Sequence, residues 1–153
     1  VLTPSGHHRV DGLVAADRSV VEHALGHHNV DALGEEAATM LKNGIMAVAE
    51  GANMPCEQSA VDAFQDARIL FGPAKAVNAG GVGVSGLEMS QNSARIAWGE
   101  DNLRKLLEDM MKDIHSSCVK HGADPDGYVN YLKGSNIAGF VKVADAMLAY
   151  GHV

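Results

Sequence analysis

The stretch from Lys75 to Asn92, KAVNAGGVGVSGLEMSQN, gathers small residues around a few polar groups. Asn78 carries a carboxamide that both donates and accepts, and Ser85 a hydroxyl that can do either. Between them, at Gly80 and Gly81, a missing Cβ lets the backbone turn sharply or come close to a ligand. Small residues with a few polar groups suit the wall of a pocket for a small polar metabolite. The same composition also serves as a tight turn with close packing. A second polar segment, Glu50-Gly51-Ala52-Asn53-Met54-Pro55, directly follows the apolar run Ile45 to Ala49. That run reads as a buried strand of a parallel sheet. A polar turn at the carboxyl end of such a strand is the usual ligand position in open α/β sheets, although Pro55 and Ser59 would equally serve an ordinary strand-to-helix turn.

Histidines suggest a different chemistry. Of eight in the chain, His7, His8, His23, His27 and His28 fall in the first thirty residues. His23 and His27 would share one face of a helix and could bind a transition metal. No further ligand pattern accompanies them, so the segment reads as a polar tail and no metal site is assigned. Cys56 and Cys118 are far apart and form no metal or redox motif, which suits free thiols in a reducing cytoplasm.

The elements that must position the two polar stretches are short. Glu35 and Glu36 stand in the first turn of a helix, where carboxylates complement its dipole, and Gly44 caps its end. A helix over about Ser59 to Ala67 turns Val61 and Phe64 inward, and Ile69 to Phe71 form a second strand broken by Gly72-Pro73. The longest helix runs from about Asp101 to His121. Its Leu103, Leu106, Leu107, Met110, Ile114 and Cys118 make one packing stripe, with His115 partly buried beside it. Ala123 to Gly127 make a turn. A last helix opening at Lys133 to Asn136 carries a second stripe, Ile137, Phe140, Val141, Ala144, Met147 and Leu148, and ends at Gly151.

The chain's 153 residues provide one domain's worth of core. A net charge of −7 argues against nucleic acid or an anionic membrane surface as partner. No apolar run approaches membrane-spanning length, and Val1 to Gly12 is too polar for a signal peptide.

Read whole, KAVNAGGVGVSGLEMSQN closely resembles a motif of the hexameric glutamate dehydrogenases, particularly their NADP-dependent class. VAEGANMP (Val48 to Pro55) and KGSNIAGFVKVADAML (Lys133 to Leu148) resemble the same family in the same order. The resemblance covers residues 31–153 and leaves residues 1–30 as an atypical segment. Within that segment Ala24-Leu25 and Asn29 are only loosely similar, as a misassigned start or shifted frame would produce.

The resemblance implies an α/β fold: the carboxyl-terminal portion of a Rossmann-like nucleotide-binding domain, followed by long returning helices. It implies reversible oxidative deamination of L-glutamate to 2-oxoglutarate and ammonia with NADP, in preference to NAD, in a cytoplasmic homo-oligomer that is a hexamer when complete. By resemblance, Gly51, Ala52, Asn53 and Asn78 contact the cofactor near its nicotinamide. Val82 and Ser85 contact the glutamate side chain, with Ser85 bonding its γ-carboxylate. Relatives acting on leucine, valine or phenylalanine lack that serine. Lys75 is a surface or orienting residue, because the family's catalytic lysine and aspartate belong to the amino-terminal substrate domain, which nothing here matches. The pyrophosphate-binding glycine turn is likewise unmatched, so no catalytic residue is assigned and the chain alone is expected to be inactive. The competing expectation is a non-catalytic fragment whose apolar helix faces pair with full-length subunits.

Overall fold

The computed structural model describes residues 34–151. The histidine pair His23 and His27, and the weakly matching Ala24, Leu25 and Asn29, lie outside the described residues.

The described residues begin with α1 (Gly34–Lys42), whose first turn carries Glu35 and Glu36 and whose last residue is Lys42, charges that suit both ends of its dipole. Gly44 N–H donates to Leu41 O, and Ile45 N–H to Met40 O at 3.2 Å. This nested pair closes the helix as a Schellman motif, with Gly44 at φ +80°. Next come β1 (Ala47–Ala49), α2 (Gln58–Asp66) and β2 (Leu70–Gly72). The strands pair in parallel, Val48 opposite Phe71, so β1, α2 and β2 form one βαβ unit.

One side of this unit holds the main core. Ala37 and Met40 of α1, Ala60, Val61 and Phe64 of α2, and Phe71 of β2 are buried together, with Phe64 and Phe71 stacked at 5.9 Å between ring centroids. The expected buried strand needs correction. Only Ala47–Ala49 is strand, half-buried to exposed along its length, and Met46 beside it is 53% exposed. Among the described residues the sheet has two strands, with helices α1 and α2 packed into the core it shares.

After β2 come α3 (Ala74–Val77), α4 (Ala79–Ala94), α5 (Glu100–Gly122) and α6 (Tyr131–Tyr150). Here a second correction arises. The glycine-rich run is not a turn: Gly80, Gly81, Gly83 and Gly86 are all inside α4, and none has a positive φ. Four interior glycines cost a helix roughly 3–4 kcal/mol relative to alanine. Packing offsets part of that cost. A Cβ at Gly83 would collide with Met110, and one at Gly80 would lie 3.4 Å from Leu107, so the missing side chains let α4 sit close on α5.

The α5–α6 hairpin is closed by a turn in which Gly127 N–H donates to Asp124 O and Asn130 N–H to Gly122 O at 2.9 Å. Asn130 caps α6 by accepting from Lys133 N–H at 2.8 Å. His115 is half-buried as expected, with Nδ1 3.3 Å from the Tyr131 hydroxyl. The hairpin is tied to the sheet by Tyr128, whose hydroxyl donates to Ile69 O at 3.3 Å. Arg68 stacks over the same tyrosine and pairs with Asp124 and Asp126.

The second stripe packs differently from its periodicity. Burial in α6 falls on Tyr131 and Gly134, whereas Phe140, Met147 and Leu148 are 71%, 63% and 80% exposed. Spacing shows that these side chains share a face, but no described element covers it. No helix among the described residues is long and apolar enough to cross a membrane.

Candidate functional site

Parallel pairing sends both strands out at the same edge. β1 ends at Ala49, and the ladder continues one step as Glu50 N–H donates to Gly72 O at 2.9 Å. The chain then turns through Gly51, Ala52, Asn53 and Met54, all exposed. β2 leaves beside it through Gly72 and Pro73. Pro73, at φ −69°, ψ 151°, starts the short α3, which hands over to α4 at Asn78 (φ −87°, ψ 0°). Two turns leaving neighbouring parallel strands must run side by side. Asn53 and Asn78 meet there: Asn78 Nδ2 donates to Asn53 Oδ1 at 2.7 Å.

Asn78 also heads a line of residues. Asn78, Val82 and Ser85 are spaced four and three apart, so they stack on one face of α4. About 10 Å of helical rise separates the first from the last. Val82 is 74% exposed. The Ser85 hydroxyl donates to Gly81 O at 3.3 Å, a long bond that is released cheaply to a better acceptor. The glycine run therefore forms the straight helical wall that carries this stripe. Gly51 and Ala52 lie on the turn leading to Asn53, and a Cβ at Gly51 would meet nothing within 4 Å. Lys75 is exposed and its Nζ donates to Asn136 Oδ1 on α6, an orienting contact between helices.

Glu50 is a residue the motifs did not single out. Only 6% exposed, its Oε2 accepts from Ala74 N–H, the first residue of α3, at 2.8 Å. The available signal was its place, a carboxylate immediately after an apolar run and before a glycine.

Cys56 lies at the far end of the same turn, half-buried. Burial first, then the neighbouring Glu50 carboxylate, pushes the Cys56 thiol up to about 12. Burial also pushes Cys118 up. Folding thus holds the Cys56 proton more tightly than the unfolded chain does. Its contribution to stability is fully present below pH 9 and is lost as pH rises toward 12. We expect both thiols to react slowly with a disulfide reagent at pH 8 and at once in urea. Rapid labelling of the folded chain at pH 8 would contradict the protonated state of these thiols.

Among the described residues, no group of three or more His, Cys, Asp or Glu is placed to hold a metal ion.

The family model described as Glutamate/Leucine/Phenylalanine/Valine dehydrogenase matches residues 29–151. The chain is 58% identical over 116 residues to an NAD(P)-specific glutamate dehydrogenase of Xylanibacter ruminicola, covering 76% of this chain and 26% of that protein. It is 55% identical over 117 residues to an NADP-specific glutamate dehydrogenase of Salmonella typhi, with the same shares covered. Among solved structures, glutamate dehydrogenase 2 of Plasmodium falciparum superposes with a TM-score of 0.76 at 37% identity, over 85% of this chain and 28% of that one. The chain thus spans about a quarter of the length of the curated relatives it matches.

Proposed function

Because the chain belongs to the Glutamate/Leucine/Phenylalanine/Valine dehydrogenase family, we propose that it forms the nicotinamide- and substrate-facing wall of a glutamate dehydrogenase. The reaction is the reversible oxidative deamination of L-glutamate to 2-oxoglutarate and ammonia, with NADP as the cofactor. The observation that carries this reading is the Asn53–Asn78 pair at the head of the Asn78–Val82–Ser85 stripe.

The pair suits a nicotinamide. Once Asn78 Nδ2 has donated to Asn53 Oδ1, Asn53 Nδ2 and Asn78 Oδ1 have no partner among the described residues. A free donor beside a free acceptor complements a carboxamide. The space above Gly51 leaves room for a flat ring to approach the backbone. When bound, the cofactor accepts hydride from the substrate α-carbon. Ser85 turns its hydroxyl from Gly81 O to the γ-carboxylate, and Val82 packs on the methylenes. Ser85 is the basis for choosing glutamate over leucine, valine or phenylalanine. NADP rather than NAD rests on the likeness of EGANMP and SGLEMSQN to the NADP-using class.

Deamination also needs an acid and a base for the amine and the attacking water. We place both outside these residues, so the chain by itself binds weakly and turns nothing over. The complete enzyme is proposed to be a cytoplasmic homo-hexamer, and the two free thiols suit that reducing compartment.

In an NMR titration of the ¹⁵N-labelled chain, NADP at millimolar concentration should shift the Asn53 and Asn78 side-chain amides. Asn53→Ala should abolish the response, and glutamate with NADP should give no reduced cofactor. Shifts confined to other surfaces, or turnover by the chain alone, would overturn the assignment.

A second reading is favoured by the exposed Phe140, Met147 and Leu148 face of α6, an apolar patch of the kind that marks an interface. In it the chain is a non-catalytic piece that associates with full-length subunits. Size measurement with and without a full-length relative separates the two, since only this reading requires a mixed complex.

A further inference from the structure

We propose that Glu50 is a positioning residue that sets the Asn53–Asn78 pair in place for the cofactor. The inference rests on the function proposed above, and its structural half can be tested without it.

Glu50 closes a ring of contacts. Its own backbone leads through Gly51 and Ala52 to Asn53. Its Oε2 accepts from Ala74 N–H at 2.8 Å, and Ala74 opens α3, which leads in four residues to Asn78. Asn78 returns to Asn53 at 2.7 Å. The ring thus has two hydrogen-bonded closures, one buried and one exposed. The exposed closure is the candidate binding group. The buried one, together with the Glu50 N–H to Gly72 O bond, fixes the distance between the two backbones that carry it.

Chemistry explains why a carboxylate stands there. Helix α3 has no side-chain cap of its own, since Pro73 precedes it, and its first N–H needs an acceptor. A buried carboxylate supplies a charge-assisted bond stronger than a neutral one. One side chain thus ties the start of the 50–56 turn to the start of α3. An exposed pair of asparagines has little to hold it rigid on its own, because water competes for each amide. Ordering before the ligand arrives reduces the entropic cost of binding.

The test compares Glu50→Ala with Glu50→Gln in the whole chain. Glutamine keeps an acceptor for Ala74 N–H, whereas alanine removes it. In Glu50→Ala, hydrogen exchange at Ala74 N–H should quicken about 10- to 100-fold, the loss of one charge-assisted bond. The Asn78 side-chain amide should move to its free, rapidly exchanging position, with α5 protection unchanged. Glu50→Gln should restore the Asn78 signal, a rescue that a mere volume effect would not give. An unchanged Asn78 signal in Glu50→Ala overturns the proposal. So does loss of folding in both variants, which would make Glu50 a folding residue. If the Asn78 signal responds as expected while NADP shifts nothing in the unmodified chain, the positioning role stands and the cofactor assignment fails.

Discussion

Gly134→Val is expected to lower the stability of the chain by about 3 kcal/mol, the upper part of the range for overpacking a tight contact. A Cβ at Gly134 would run into Cys118 O and lie 3.1 Å from Cys118 Cα, while a Cβ at Gly122 would lie 3.1 Å from Gly134 Cα. The obstacles are backbone atoms of α5 and cannot rotate away. Relief would require α6 to move off α5, which would disturb the cluster of Cys118 and Tyr131. Alanine at 134 would gain about 1 kcal/mol of helix propensity and still lose on balance. Gly139 provides the control. It lies on the same helix, and a Cβ there would meet nothing within 4 Å, so Gly139→Ala should stabilise by about 1 kcal/mol. Urea unfolding measures both. A Gly134 variant as stable as the parent would mean that α5 and α6 do not cross at these two glycines.

The second large effect concerns Ser85 and is read in a complete enzyme. The matched residues of the Xylanibacter ruminicola relative can be exchanged for those of this chain, since 58% are already identical. In that chimera, Ser85→Ala should lower kcat/KM for glutamate about 10- to 100-fold, as expected for losing a hydrogen bond to a charged carboxylate. The loss should fall mostly on KM, because the γ-carboxylate is remote from the reacting carbon. Ser90 lies on the same helix and its hydroxyl donates to Gly86 O at 2.8 Å, so Ser90→Ala should leave kinetics unchanged. Equal effects from both serines would remove the reason to assign the substrate carboxylate to Ser85.

The residues from Gly34 to Gly72 were largely legible in the sequence because local chemistry determined them. Glu35 and Glu36 open α1, Gly44 closes it at positive φ, and Val61 and Phe64 face the core. In sequence the glycine run admits both a tight turn and a pocket wall, because propensity counts only local terms. Its helical state depends on Met110 and Leu107 arriving from α5, a contact twenty-seven residues away in sequence. The stripe of α6 was visible as a face, but periodicity does not say which element covers it. Two further helices close without the usual signal. Arg68 and Arg95 adopt left-handed backbone (φ 53° and 55°) after α2 and α4, where glycine or asparagine is the usual signal. In the site, resemblance named Asn53, Asn78, Val82 and Ser85, and the parallel strands bring the first two into contact. Glu50 was out of reach because its importance depends on burial and on an N–H donor twenty-four residues away.

That these residues form the cofactor and substrate wall of a glutamate dehydrogenase is the proposal that the unmodified chimera tests. Its glutamate-dependent reduction of NADP should be measured alongside L-leucine, L-valine and L-phenylalanine. Clear activity is expected with glutamate and almost none with the other three. A chimera that assembles to the relative's size and remains inactive with glutamate, or that prefers an apolar amino acid, would contradict it.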